Sequence, residues 1–449
     1  MKGRDYKEVR EIKMGTMPIG KLLISMSLPL IASMLVQALY NIVDSIFVSQ
    51  ISESALTAVS LAFPAQNLLI AFAGGTSVGV NSLLSSSLGE KNQDQANQTA
   101  NHAIFLWIVM SAIFALIGFT CGKMFFSLQT TNEEIIKYGV QYFSICLGLS
   151  FGIFGQFTFE RLLQGTGRTF ETMITQGTGA IINIILDPIF IFVFDMGVAG
   201  AALATVTGQI IACFLGIYIN HKKNHDIVIN MKGFRPKANI IKQIYQVAAP
   251  SIVMQSVGSF MNFSMNQILI SFTSTATAVF GVYYKLQSFF FMPMFGMNNA
   301  LVPIVAYNYG AKNRKRMLGA MKLSMKLATV LMVCGTLAFE FIPATLLGLF
   351  NASEEMLSIG VPALRIIGVH FPLAGIAIAC GSVFQATGHG VYSLINSLIR
   401  QVVVLLPSAY LFSLTGNVNN VWFCFLTAEV ASFTMALYLL RKLIKKLDF

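Results

Sequence analysis

Charge is what this chain has least of. Its 449 residues hold 19 Asp and Glu against 30 Lys and Arg, 11% charged in all, where a soluble protein carries about 25%. That scarcity excludes a soluble globular protein. With 55% hydrophobic residues and a mean hydropathy of +0.69, the composition is that of a polytopic membrane protein. Cysteine is sparse too: Cys121, Cys146, Cys213, Cys334, Cys380 and Cys424 sit singly in apolar segments without a CxxC spacing, which points to packing rather than disulfides or a metal ribbon. The five histidines form no HExxH pattern. No G-x-x-x-x-G-K-[ST] occurs, since Gly20-Lys21 and Gly122-Lys123 are followed by Leu and Met, so ATP hydrolysis is not expected. The Gly165-Thr-Gly-Arg168 stretch follows no strand pattern and reads as a turn between helices, not a dinucleotide fingerprint. No nucleophile–base arrangement stands out, and the chain is read as no enzyme and without a cofactor.

What is present is a succession of apolar runs, at roughly 22–48, 55–82, 101–122, 136–158, 173–194, 198–219, 244–272, 277–306, 322–342, 357–383, 391–413 and 418–440. Each is long enough to span a bilayer, which predicts an all-α protein of twelve transmembrane helices. The first run is too long for a signal-peptide core and is expected to remain as a helix. Of the 30 basic residues, 25 are assigned to the two ends and the even-numbered loops, and two (Lys123, Lys137) to the odd-numbered ones. The remaining three, Lys285, Arg365 and Arg400, fall inside helices. The positive-inside rule then places both ends in the cytoplasm of a multi-pass plasma-membrane protein. The same distribution accounts for the net charge of +11, and no nucleic-acid partner is expected.

The two halves repeat. Pro29 and Pro250 are 221 positions apart, and the same offset aligns Leu88-Gly-Glu-Lys-Asn92 with Tyr309-Gly-Ala-Lys-Asn313 and Gln164-Gly-Thr-Gly167 with Gln385-Ala-Thr-Gly388. One register held across several loops is a tandem duplication. Six helices is an even number, so the halves share one orientation and relate by a pseudo-twofold axis along the membrane normal. The division expected is a cytoplasmic segment 1–21, a first lobe 22–220, a basic linker 221–243, a second lobe 244–440 and a tail 441–449.

Within the apolar runs, acids are rarer still. Asp44 ends a polar stripe of Ser33, Gln37 and Asn41 on the first helix, and Asp187 shares a face with Gln176 and Asn183 on the fifth. An intramembrane carboxylate costs about 2.5–3.5 kcal/mol by insertion scales, so each needs a partner, a proton or a cation. Pro188 removes a backbone donor directly after Asp187 and frees a carbonyl one turn back. The offset places Met265 and Ser408 opposite Asp44 and Asp187, so the acidic site belongs to the first half alone. Gly200, Ala204 and Gly208 form a small-residue ridge on the sixth helix, with Thr205 beside it. Gln37, Asn41 and Gln176 are candidates to line a substrate cavity. In the second half Lys285, Arg365 and Glu429 are embedded, as an internal ion pair or as a relay. Methionines 254, 261, 265, 292, 294 and 297 cluster in helices 7 and 8, suited to promiscuous binding or to plain packing.

Several segments together carry a resemblance: Ser27-Leu-Pro-Leu30, Tyr40-Asn-Ile-Val-Asp44, Gln164-Gly-Thr-Gly-Arg168, Asn183-Ile-Ile-Leu-Asp-Pro188, Gly200-Ala-Ala-Leu-Ala-Thr205, Leu301-Val-Pro-Ile-Val-Ala-Tyr-Asn308 and Gln385-Ala-Thr-Gly388. Nearly the whole chain resembles the multidrug and toxic compound extrusion (MATE) family, in the bacterial and archaeal branch that includes DinF and MepA. The resemblance implies export of amphipathic, often cationic small molecules in antiport with H⁺ or Na⁺, through two lobes that rock between outward- and inward-open states. It implies a coupling site at Asp44, Asn183, Asp187 and Thr205, with a backbone carbonyl near Ala201, where Na⁺ would be the metal bound. A sister branch carries acids in helices 7 and 10, and here neither 244–272 nor 357–383 contains one. The expected partners are the lipid bilayer and a small-molecule substrate, with the protein acting as a monomer. The alternative is a flippase for lipid-linked precursors from the same superfamily. That activity calls for a basic central cavity, whereas the first-lobe cavity reads as acidic or neutral.

Overall fold

The computed structural model describes residues 13–350 and 352–446, apart from the side chains of Asn41, Ile42, Ser45, Ser49 and Glu53. Among the described residues every element is helical. The long helices of the first half are α1 (Ile19–Ser49), α2 (Glu53–Gly89), α3 (Gln93–Thr120), α4 (Glu133–Gly148 continued by Phe151–Gly165), α5 (Thr169–Pro188 and a π-helical turn, Ile189–Val193) and α6 (Gly197–Lys223). The second half repeats the order: α7 (Ala238–Ile270), α8 (Ser274–Gly310), α9 (Arg314–Phe341), α10 (Glu354–Gly368 and Phe371–Ala386, bent by 50°), α11 (Gly390–Leu398, the π-helical Ile399–Val404, then Leu405–Ser413) and α12 (Val418–Val421 and Phe423–Lys445). Ten of these are long and apolar enough to cross a membrane, and the bent α10 makes an eleventh. Only α7 falls short, because Gln255, Asn262, Asn266 and Gln267 interrupt its apolar surface. Of these, Gln255 lines the cavity between the lobes. The exterior carries an apolar coat that includes Phe119, Phe214, Phe263 and Phe341, as a lipid-facing surface requires.

The duplication is written into the backbone. Ser52 and Thr273, Asn92 and Asn313, and Asn132 and Ser353 each cap a helix start through their side-chain oxygens, and each pair is 221 apart. Lys91 and Lys312 adopt the left-handed conformation at the same offset, with φ of 57° and 54°. A short helix, Gly122–Ser127, recurs as Pro343–Gly348.

The helices run beyond the apolar runs. α2 has 37 residues, or about 55 Å at 1.5 Å per residue, against a hydrocarbon core of about 30 Å. Outside that core a polar residue no longer ends a helix, so α3 starts at the polar Gln93, capped by Asn92. The same effect corrects the charge distribution. Arg161, counted above with a loop, is buried inside α4, because the helix continues through Phe159-Glu-Arg161 to Gly165.

The halves meet along α1–α8, α2–α7 and α2–α8. At the end bearing Lys91 and Lys312 the contact is backbone to backbone. A Cβ on Gly89 would lie 2.0 Å from the Tyr307 carbonyl oxygen, and one on Gly310 2.1 Å from that of Ser86. These two contacts are exchanged by the 221 offset. Near the same end Ser82 Oγ donates to the Gln385 carbonyl at 2.8 Å, and Arg316 donates to the carbonyls of Met14 and Met17. The lobes are therefore closed against each other on this side.

Candidate functional site

The first-lobe site is assembled from α1, α5 and α6. Backbone contact brings α5 and α6 together: a Cβ on Gly208 would stand 2.5 Å from the Gly179 carbonyl oxygen, and one on Gly200 2.7 Å from Phe190 carbonyl carbon. The small ridge of α6 thus serves the close packing that its composition suggested. That proximity lets Asn183 Nδ2 donate to Thr205 Oγ1 at 3.1 Å. One turn on, Asp187 is 0% exposed, and α1, which carries Asp44, packs along α5. Beyond Asp187, the π-helical turn after Pro188 redirects the chain, and Val48, Ile191 and Ala201 close the far end with an apolar plug.

The polar accounting at this point is incomplete. Both oxygens of Asp187, Oδ1 of Asn183 and Oδ1 of Asp44 are buried without a hydrogen-bond partner among the described residues. All four are acceptors, so what is missing is donors or positive charge. A proton or a small monovalent cation fits that set. An adjoining cavity of about 70 Å³ is lined by Gln37, Gln176, Asn183, Thr205 and Glu160, room for several waters. Gln176 Nε2 donates to Gln37 Oε1 at 2.8 Å, so these two candidates face that cavity together. The Asn41 side chain lies outside the described residues.

Sequence reasoning missed Glu160, whose side chain is buried in this cavity and accepts from Gln156 Nε2 at 2.9 Å. Its neighbour Arg161, one residue on and so about 100° around the helix, faces the other way. It lines a cavity of about 430 Å³ between the lobes, together with Gln255 and Asn299 from the second half and with Arg400. No Asp or Glu lines that cavity among the described residues. The signal available in the sequence was the adjacent Glu-Arg pair with opposite charges on different faces of one helix.

The second-lobe assignment needs correcting. Glu429 is 3% exposed, and its ion partner is Arg400, with Nη1 and Oε2 3.9 Å apart. Lys285 is exposed and lies over the Phe350 ring, 5.9 Å from its centroid. Arg365 is exposed as well and donates from Nε to the Glu340 carbonyl. Membership of an apolar run carries no information on which face of the helix each side chain occupies. Arg400 sits in the π-helical stretch of α11, seven residues before Pro407, where the widened turn re-aims it. A cavity of about 240 Å³ lies beside this pair, lined by His370, Phe291, Met292, Phe295 and Met261 among others.

Fold and sites define a two-lobed, polytopic helical membrane transporter with an acidic pocket in one lobe. The MatE family model matches the chain twice, over residues 29–189 and 250–411, which are the two repeats. The chain belongs to the MatE family of multidrug and toxic compound extrusion transporters. It is similar to the multidrug export protein MepA of Staphylococcus aureus (strain bovine RF122 / ET3-1), 26% identical over 430 residues that cover 94% of each chain. It is likewise similar to MepA of Staphylococcus haemolyticus, at 26% identity over 96% of this chain and 95% of that one. Among solved structures, an outward-facing multidrug resistance MATE transporter of the MOP superfamily superposes with a TM-score of 0.92 at 25% identity, covering 98% and 99% of the two chains. A MOP superfamily transporter from Pyrococcus furiosus, described as having a binding pocket of reverse polarity, gives 0.91 at 25% identity over the whole of both chains.

Proposed function

We propose that this protein is a secondary active exporter of amphipathic organic compounds, cationic ones included, driven by antiport of H⁺ or Na⁺. The observation that carries the reading is the group of unpartnered acceptor atoms on Asp44, Asn183 and Asp187 beside Thr205. A coupling ion drives a transport cycle only if it binds one conformation better than the other. A pocket lined by packed, movable helices meets that requirement when its acids lose or gain the ion as α1 shifts against α5. Two lobes, 22–220 and 244–440, joined by the linker 221–243, would rock about the pseudo-twofold axis. The ends bearing Lys91 and Lys312 are assigned to the cytoplasm by the positive-inside rule, in a plasma-membrane monomer that catalyses no reaction. Efflux from proteoliposomes under an imposed pH gradient and, separately, an imposed Na⁺ gradient tests this. Dye release under one gradient and not the other identifies the ion, and release under neither rejects ion coupling.

A specific observation also favours the flippase reading. The cavity between the lobes carries Arg161 and Arg400 and no described acid, which is the basic centre that a lipid-linked precursor would require. Translocation of a fluorescent prenyl phosphate across the same proteoliposomes, in the absence of any ion gradient, distinguishes the two.

A further inference from the structure

We propose that the cavity between the lobes is a binding site for the anionic group of an amphiphile, held between Arg161 of the first lobe and Arg400 of the second. The inference rests on the transporter reading above and names the chemistry of its substrate. Arg161 is 9% exposed, and its hydrogen bonds to Gln164 Oε1 at 2.7 Å and Asn299 Oδ1 at 3.2 Å both leave from Nη1. Its guanidinium makes no ion pair within 4 Å among the described residues. The nearby acid, Glu160, turns to the first-lobe cavity and is held there by Gln156. Arg400 has one acidic neighbour, Glu429, at a loose 3.9 Å, and its side chain stays 28% exposed. Two such cations facing a cavity of about 430 Å³ with no described acid in its wall create a positive potential in a low-dielectric setting. Guanidinium groups match carboxylate and phosphate oxygens in planar, bidentate fashion, and Gln255 and Asn396 add amide donors to the wall.

The rest of the ligand follows from what adjoins. Arg400, with its partner Glu429, also borders the cavity of about 240 Å³ whose remaining wall is mostly apolar and includes Met34 of the first lobe and Met261, Phe291, Met292 and Phe295 of the second. An apolar body resting there places an attached acid at Arg400, with Arg161 across from it. Soft thioether and aromatic walls adapt to many shapes, so selectivity resides in the charged group. Because the two arginines belong to opposite lobes, the anion bridges them, and it is bound well only while both face the cavity. Substrate binding is thereby tied to the conformation.

The test uses the full-length protein in lipid nanodiscs, with no ion gradient, so that failed coupling and failed anion binding give different results. Fluorescence polarisation compares rhodamine B, which carries a free carboxylate, with rhodamine B ethyl ester, which shares its body and cationic ring. The carboxylate form is expected to bind at least about tenfold more tightly, equivalent to about 1.4 kcal/mol. Arg161→Gln and Arg400→Gln should each remove most of that preference while leaving the ester's affinity within about twofold. If Arg400→Gln does not fold, the Arg400→Gln/Glu429→Gln variant removes both charges together and serves in its place. Competition by farnesyl phosphate, with farnesol as the neutral control, then identifies the source. Displacement of rhodamine B by the phosphate alone marks a lipid-phosphate site, and failure of both competitors leaves an organic carboxylate as the ligand. An ester that binds as tightly as the acid, or a preference that survives both arginine substitutions, overturns the proposal.

Discussion

Arg400 and Glu429, 3.9 Å apart in the second lobe, stand where the first lobe has Gly179 and Gly208, 221 positions earlier, in backbone contact. One pair of helix faces has thus taken two forms. In the first lobe two glycines let α5 and α6 close on each other and bring Asn183 to Thr205. In the second, two long charged side chains occupy those positions of α11 and α12, and a cavity lies beside them. The lobes share a backbone plan but have divided the chemistry, acid in one and ion pair in the other.

That pair sets the first prediction. Glu429→Ala leaves Arg400 without its partner, and Arg400→Ala strands a carboxylate that is 3% exposed. Removing one member of a buried pair costs about 3–5 kcal/mol, and the partial exposure of Arg400 puts this case at the low end. Replacing both, as Arg400→Met with Glu429→Leu, should recover most of the loss. Thermal unfolding in detergent reads all three variants, and a Glu429→Ala protein that melts with the wild type rules out a structural role for the pair.

Lys285→Ala should be tolerated. Its ammonium is exposed and touches the Phe350 ring at 5.9 Å, a contact worth about 0.5–1 kcal/mol at such a site. A shift of melting temperature no greater than a few degrees is expected, with expression unchanged. Collapse of expression would mean that Lys285 compensates a buried acid after all.

Gly310→Ala should pry the lobes apart where they are now closed. The added methyl would meet the Ser86 carbonyl oxygen at 2.1 Å, a rigid backbone atom that cannot turn aside, while each lobe's own core is untouched. Spin labels on cysteines placed at Lys91 and Lys312, in a background without the native cysteines, read the separation. A longer and broader distance distribution is expected than in the parent, and Gly89→Ala should act alike because the offset exchanges the two contacts. Unchanged distances in both variants would remove this contact as a determinant of closure.

Much of this molecule could be read before any coordinates, and the reasons are particular. The 221-residue register survived because it is carried by caps and turns, such as Asn92 with Asn313 and Lys91 with Lys312, where backbone geometry restricts the residue. Asp44 and Asp187 stood out because nothing nearby in an apolar run explains them. Arg161 and Glu160 did not, because a charged pair at the edge of an apolar run looks like the start of a loop. Only the extension of α4 to Gly165 shows that both are interior. The partner of Glu429 was equally hidden, since three basic residues lay at plausible depth and the helical rotation that selects Arg400 depends on a π-helical turn.

The last prediction concerns Asp44 and Asp187. Asp→Asn keeps size and hydrogen-bonding capacity but removes the charge that a proton or cation would meet. The wild-type site offers acceptors in excess, with both Asp187 oxygens unpartnered. An Asn there brings its own donors, so the variant should fold at least as well as the parent. Asn183→Ala is the complement: it deletes the 3.1 Å bond to Thr205, a contact worth about 0.6 kcal/mol between membrane helices, and leaves both charges in place. If the acids serve coupling, Asp44→Asn and Asp187→Asn keep their melting temperature and their binding of a test dye, yet lose active efflux under every imposed gradient. Asn183→Ala should then retain efflux with a weakened dependence on the ion. If the acids serve only packing, the order reverses, and the Asn variants export while the melting temperature falls. Efflux in proteoliposomes, paired with thermal unfolding of the same preparations, separates the outcomes, and near-normal export by either Asn variant removes that acid from the coupling site.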